Sequence, residues 1–398
     1  MSVIARTRAE SLKRAAERVG FDRAGIAALA PAETGAAFVR WLENGEQASM
    51  AYLERRVETR LDPRELLPGA RSAVCVALRY WPLAQEATAI GSEEHSVEFS
   101  DGNDLWPRVA RYARGLDYHD VMLERLKLLE AEIIAIVPGA KTRRYVDTGP
   151  ILERDLAAKA GLGAFGKNCN LLDPEMGSYF LLGEVLTTVD LEPDTPISDL
   201  CGTCSRCLDA CPTGALTGPY RLDSRLCISY WTIEHRGPIP EPMRKEIGDW
   251  VFGCDVCQEV CPMNADLAPA RHPELELSGL RRELSLVDLL GLEREDYVEI
   301  FRGSPMKRAK LEGLKRNAAV AMGNRRNHRY QGPLIEALGD SDSAVRGQAA
   351  WSLARLELRD DRASQARRRS LEAALGVESD FDVRTEIRAA LALTADGQ

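Results

Sequence analysis

The stretch Cys201 to Pro212 reads CGTCSRCLDACP. Its cysteines stand at 201, 204, 207 and 211 with Pro212 directly after, a C-x2-C-x2-C-x3-C-P run. Three thiolates at this spacing hold one iron-sulfur cubane, and the fourth reaches a second cluster. Downstream, Cys254, Cys257 and Cys261 followed by Pro262 repeat the end of the run, but Val251 occupies the place of its remaining cysteine. Cys227 can fill that vacancy from a distance. The expected pairing puts Cys201, Cys204, Cys207 and Cys261 on one [4Fe-4S] cluster and Cys211, Cys227, Cys254 and Cys257 on the other. Paired C-x2-C elements also bind zinc, yet three cysteines at successive three-residue intervals before C-P fit zinc poorly.

Eight of the ten cysteines fall in this segment. Of the other two, Cys75 lies in an apolar run and reads as a packed thiol, as does Cys169. The first thirty residues alternate charges with aliphatics at helical spacing and hold no uninterrupted apolar core of the kind an export signal needs. No stretch approaches the roughly 18 apolar residues of a membrane span. A cytoplasmic protein is therefore expected, with no membrane partner, and reduced cysteines there point to metal ligation rather than disulfides.

At 398 residues with 45% hydrophobic content, the chain is long enough for two or three domains. The expected class is α+β. Residues 1–190 mix helical patterns with strand-like runs at Ser72 to Leu78 and Tyr179 to Val189, Gly91 to Asp104 reads as a surface loop, and Asp190 to Asp199 reads as a linker. Residues 191–270 form a ferredoxin-like two-cluster domain. Residues 271–398 are almost wholly helical in pattern. Three stripes there share an i, i+4, i+8 template: Leu314, Ala318, Met322; Val345, Ala349, Leu353; Val383, Ile387, Leu391. In each, the residue after the first member is basic (Lys315, Arg346, Arg384), and the offsets of 31 and 38 residues predict irregular HEAT-like helical pairs. An unrelated helical bundle is the alternative.

Further blocks surround the cysteine run. YVDTGPILERDLAAKAGLGAFGKNCN (Tyr145 to Asn170), CISYWTIEHRGPIP (Cys227 to Pro240), RLDPRELLPGA (Arg60 to Ala70), ARYARGLDYH (Ala110 to His119) and GLKRNAAVAMGN (Gly313 to Asn324) occur in one order with it. Together they resemble the tRNA epoxyqueuosine reductases over most of the chain. The resemblance implies that residues 1–190 form an α/β-type cobalamin-binding catalytic domain related to that of reductive dehalogenases. The cobalamin would be bound without the lower-axial histidine of a D-x-H-x-x-G motif. Asp117 and His119 do make a D-x-H, but Met122 stands where that motif needs glycine.

The implied reaction reduces the epoxide of epoxyqueuosine, at the wobble position of a tRNA anticodon, to the alkene of queuosine. Two electrons, delivered through the clusters from an unidentified donor, and two protons are consumed, and water leaves. Cobalamin supplies chemistry that no side chain can, and an acid assists as charge develops on oxygen. Asp147 matches the family's proton donor in V-D-T-G-P; alternatively, Asp147 or Thr148 caps a helix opened by Pro150. A free aspartate has a pKa of about 3.9, so Asp147 would be ionised at neutral pH unless burial beside the corrin raised that value. With Asp147, the candidate cobalamin contacts are Arg60, Tyr112, Asn168, Asn170 and Ser178, and Ser229 and Tyr230 beside a cluster ligand. The glycines of GLGAFGKNCN do not have phosphate-loop spacing and read as allowing backbone approach to a planar ligand.

A formal charge of -9 argues against a generally basic nucleic-acid binder, and DNA is not an expected partner. Locally the balance reverses: Arg302 to Arg329 holds nine basic residues and one acidic, Glu312. Lys307, Arg308, Lys310, Lys315, Arg316, Arg325 and Arg326 are the candidate phosphate contacts for tRNA, against the alternative of a solvated helix face. Two other functions stand beside this reading. A corrinoid dehalogenase lacks support from an export signal, and a simple electron carrier leaves the large N-terminal domain unexplained.

Overall fold

The computed structural model describes residues 3–81, 107–276, 281 and 284–395. The loop expected at Gly91 to Asp104 lies outside them. The described chain divides into two compact units: residues 3–81, 115–225 and 255–276 in one, and residues 107–114, 226–254, 281 and 284–395 in the other. No helix among the described residues is long and apolar enough to cross a membrane.

The first unit is built on a four-stranded antiparallel sheet of order β1-β2-β4-β3, with β1 Arg23–Ala28, β2 Ser72–Arg79, β3 Thr142–Tyr145 and β4 Phe180–Thr187. The two apolar runs expected to be strands are β2 and β4, within a residue or two at each end. β2 reads as a continuous apolar run because both its faces are covered. On one face Met122 and Leu126 of helix α2 (Tyr118–Ile136) approach Gly183 of β4, where a Cβ would lie 3.1 Å from the end of each side chain. On the other, Leu156 and Ala157 of helix α3 (Glu153–Lys159) join Ala73, Cys75, Ala77 and Leu186 in one core. Helix α1 (Val3–Arg18) packs beside β1 and α2, burying Leu12, Ala15 and Ala16. Cys75 is fully buried, the packed thiol expected of it, and burial pushes its pKa up. Two short helices, α4 (Arg206–Ala210) and α5 (Val256–Glu259), pack together in the cysteine-rich part of this unit.

The second unit is helical apart from a short parallel pairing of Arg108–Val109 with Trp250–Phe252. The three sequence stripes lie on α6 (Lys310–Arg325), α7 (Ser343–Arg355) and α8 (Phe381–Ala395), which stack in succession. Eight of the nine stripe residues are at most 3% exposed, and the ninth, Leu391, packs against their core. The basic residue that recurs in the template stitches each helix to a loop. Lys315 pairs with Asp340, Arg346 with Glu378, and Arg384 donates to the carbonyls of Leu375 and Glu378.

Candidate functional site

Asp147 follows the end of β3 in a left-handed conformation (φ 55°), which is uncommon for a residue with a side chain and marks a constrained turn. Three groups constrain it. Its backbone N–H donates to a carboxylate oxygen of Glu153, the first residue of α3. Its Oδ2 accepts from the Tyr118 hydroxyl at 3.0 Å and faces Nε2 of His119 at 3.3 Å. The other imidazole nitrogen lies 2.7 Å from Oδ1 of Asp117, which also caps α2 by accepting the His119 N–H. The capping alternative for Asp147 is not realised: α3 starts at Glu153 with Leu152 at its N-cap and no side-chain cap.

The charges follow from these contacts. Burial opposes the imidazolium, but hydrogen bonds and attraction from Asp117 and Asp147 outweigh it and push His119 up to about 9. Crowding opposes ionisation of Asp147, and the pairing with His119 together with the Tyr118 bond and the charge of Arg154 more than offsets it, so its carboxyl lies below the usual range. At neutral pH the pair is Asp147 carboxylate with protonated His119. The Asp147 side chain remains 61% exposed, so the ion pair is open to a ligand.

Arg60 reaches the same turn, donating to the Gly149 carbonyl at 3.3 Å, while its buried Nε has no partner among the described residues. An orphaned guanidinium nitrogen beside an exposed acid suits a polar ligand rich in amide or phosphate oxygens. His119 is held by two carboxylates and Met122 is fully buried in the core. Asn168 and Ser178 are spent inside the protein. Asn168 donates to the Cys257 carbonyl and accepts from Asn170 N, and the Ser178 hydroxyl meets Asn264 and Gln258. Asn170 is half-buried in the same loop. The glycines of that loop lie close to the chain's own atoms: a Cβ on Gly163 would lie 2.8 Å from the Leu172 carbonyl, and one on Gly166 would lie 2.8 Å from Asn168 Oδ1.

Cys201, Cys204, Cys207 and Cys261 line one cavity, as the expected pairing requires of one cluster. Burial and the neighbouring thiols push Cys207 and Cys261 up, the desolvated cysteine-rich setting that a cubane replaces with iron. Lys167, not singled out in the sequence, turns its backbone N–H toward Cys201 Sγ at 3.4 Å and its ammonium to the Gly202 and Cys204 carbonyls. Of the second set, Cys211 and Cys257 belong to the first unit and Cys227 and Cys254 to the second. Val251, in the place of the missing cysteine, is fully buried in a strand and its carbonyl accepts from Asn317.

In the second unit Tyr112 tilts against Phe252, Tyr230 is buried beside Trp231, and Ser229 is half-buried before it. The seven candidate phosphate contacts separate into two groups. Lys307, Arg308, Lys310 and Arg326 are exposed, with Arg308 on Glu234 and Arg326 near Glu357. Lys315 and Arg325 are turned to Asp340 and Asp249, with 14% and 15% of their side chains exposed. Arg316 is buried and donates to the carbonyls of Trp231, His235 and Gly237 and to Asn317. Burial pulls it down to about 10, so it stays charged, but its donors are directed inward.

Three family models match the chain. The one described as Epoxyqueuosine reductase QueG, DUF1730, matches residues 60–148. A 4Fe-4S double cluster binding domain matches residues 200–264, and HEAT repeats match residues 308–392. An epoxyqueuosine reductase of Xanthomonas campestris pv. campestris is 38% identical over 347 residues, covering 87% of this chain and 95% of that protein. The crystal structure of a selenomethionine-labelled epoxyqueuosine reductase matches with a TM-score of 0.85 and 32% identity, covering 97% of this chain and 98% of that one. An epoxyqueuosine reductase solved with a tRNA-Tyr epoxyqueuosine-modified stem loop matches at 0.82 with 31% identity and the same coverage.

Proposed function

This chain belongs to the epoxyqueuosine reductase family, with a 4Fe-4S double-cluster segment and HEAT repeats, and we propose that it reduces epoxyqueuosine to queuosine at the wobble position of tRNA with cobalamin as its further cofactor. The observation that carries the reading is the exposed Asp147 carboxylate held against a protonated His119 in a chain with a four-cysteine cluster cavity. Cobalamin, when bound, supplies the low-potential reduction that opens the strained ring. Its proposed contacts, from the family-like sequence blocks, are Asp147, Arg60, Asn170, Tyr112, Ser229 and Tyr230. The unpartnered Arg60 Nε supports a polar ligand at the Asp147 turn.

The chain's own part is acid catalysis and electron delivery. Epoxide plus two electrons and two protons gives alkene plus water. The proton at hand at neutral pH is carried by His119 of the His119–Asp147 pair, and Asp147 relays it to the epoxide oxygen as negative charge builds there. Tyr118 fixes the carboxylate from one side, and Asp117 fixes the imidazole. Cys201, Cys204, Cys207 and Cys261 hold one cluster, and Cys211, Cys227, Cys254 and Cys257 the other.

A substrate in RNA has to offer its base from a single-stranded loop, as an anticodon loop does. Lys307, Arg308, Lys310 and Arg326 are proposed to grip flanking phosphates. The relative solved with a modified stem loop supports this substrate class. Anaerobic reconstitution with iron, sulfide and cobalamin, followed by turnover of an epoxyqueuosine stem loop and nucleoside analysis, tests the proposal. Conversion to queuosine without cobalamin would remove the cofactor claim, and no conversion with it would remove the activity.

A further inference from the structure

Beneath the Asp147 turn lies a pair of carboxyl groups that the chemistry above does not use. Glu184 sits in the middle of β4, with Cys75 of β2 and Tyr145 of β3 as its cross-strand neighbours. It is fully buried, and neither of its carboxyl oxygens has a hydrogen-bond donor among the described residues. Glu153 stands at the start of α3, which packs on β4, and its carboxyl acts on that of Glu184 while also accepting the Asp147 N–H. Two carboxylates in contact within an apolar bed cannot both ionise, so a proton stays between them. Among the described residues nothing else supplies the missing donor: Cys75 is a buried thiol, the buried Tyr145 hydroxyl has no partner there, and Asp147 adds negative charge. Arg154 and Arg60 act on Glu153 through space, but Arg154 donates to the Cys169 carbonyl and Arg60 to that of Gly149.

We propose that Glu153 and Glu184 are a proton-sharing positioning pair, whose shared proton joins the two carboxyls and thereby fixes the Glu153 oxygen that holds Asp147 in its left-handed turn. The inference rests on the catalytic reading of Asp147. Burial first, and then the charge of Asp147, push Glu153 up to about 8; burial and Glu153 push Glu184 well above its ordinary value. The pair therefore keeps its proton at neutral pH and loses it on the alkaline side. Three carboxylates then crowd one site, and a strained turn with its holder repelled relaxes.

The test uses the full chain. In Glu184→Gln a side-chain amide replaces the shared proton as a permanent donor to Glu153. Turnover at neutral pH should stay within about twofold of the parent, while the part of the alkaline fall in kcat that the pair causes disappears and the part set by His119 remains. Glu153→Ala removes the acceptor of the Asp147 N–H and should lower kcat on the order of tenfold or more with KM for the stem loop unchanged; Glu153→Gln, which keeps an acceptor oxygen, should restore it. Independently of activity, difference infrared spectroscopy across a neutral-to-alkaline step should show a protonated-carboxyl band lost in the parent and absent in Glu184→Gln. A parent protein without that band, or a Glu184→Gln enzyme with the parent's alkaline profile, overturns the proposal. The infrared measurement needs no variant to fold. Failure of the Asp147 reading would look different: Asp147→Asn would turn over like the parent while the band remained.

Discussion

His119 Nε2 lies 3.3 Å from Asp147 Oδ2, and the same ring's Nδ1 lies 2.7 Å from Asp117 Oδ1, so one imidazole bridges two carboxylates. The bridge stores a proton where the epoxide oxygen would need one. It also makes the turn sensitive to pH in a definite direction. His119 is raised from about 6.5 in the unfolded chain to about 9. The stabilisation it gives is complete below about 6.5 and is lost as pH rises through about 9. Melting temperatures of the parent should fall over that window more steeply than those of His119→Gln. A proton NMR titration of the His119 ring with a midpoint near the ordinary histidine value would remove the bridge.

Asp147→Asn keeps size and removes the carboxylate that relays the His119 proton. Cobalamin binding, followed by its visible spectrum, should persist, while epoxide reduction falls by roughly 10² or more. Asp147 makes no helix cap, so the variant should lose only the stability that its half of the His119 bridge supplies and still unfold cooperatively, which separates the loss of chemistry from a loss of fold.

Cys211→Ala tests the exchange of ligands between clusters. The C-x2-C-x2-C-x3-C-P spacing gives the fourth cysteine to the other cubane, so this variant should damage the cluster held by Cys254 and Cys257 and spare that of Cys201, Cys204, Cys207 and Cys261. Iron counting and spin resonance read this directly. Two intact cubanes in the variant would refute the pairing.

Arg316 and its exposed neighbours should behave oppositely. Arg316→Met removes the donors to the part-buried carbonyls of Trp231, His235 and Gly237 and to Asn317 Oδ1, and a hydrogen bond to a charged group contributes ~1.5–3 kcal/mol. Denaturant unfolding should show a loss of about 2 kcal/mol or more. Replacing Lys307, Arg308, Lys310 and Arg326 together by Ala should leave stability nearly unchanged. It should weaken stem-loop binding and flatten its salt dependence by roughly 0.7 to 0.9 in log–log slope for each phosphate that is no longer neutralised. An unaltered slope would move the RNA to another surface.

Local spacing alone determined a good deal of this protein. The cysteine intervals set the cluster chemistry because ligation by a tight loop is a property of neighbouring residues, and the four-residue stripes set the stacked helices because each helix carries its own buried face. Cys75 was legible as core for the same reason. Tertiary structure decided what depends on residues far apart in the chain. Asp147 meets His119 and Tyr118 only because β3 ends beside the start of α2, and no pattern in V-D-T-G-P announces a histidine 28 positions earlier. Glu184 looked like an ordinary polar residue of a strand, and only the packing of α3 onto the sheet turned it into a buried carboxyl lacking a donor. The basic run from Arg302 to Arg329 was correctly counted, yet charge in a sequence carries no direction. Folding turned Lys315, Arg316 and Arg325 toward internal carboxylates and carbonyls and left Lys307, Arg308, Lys310 and Arg326 at the surface. A buried cation needs partners supplied by other segments, and partners across segments are settled by packing.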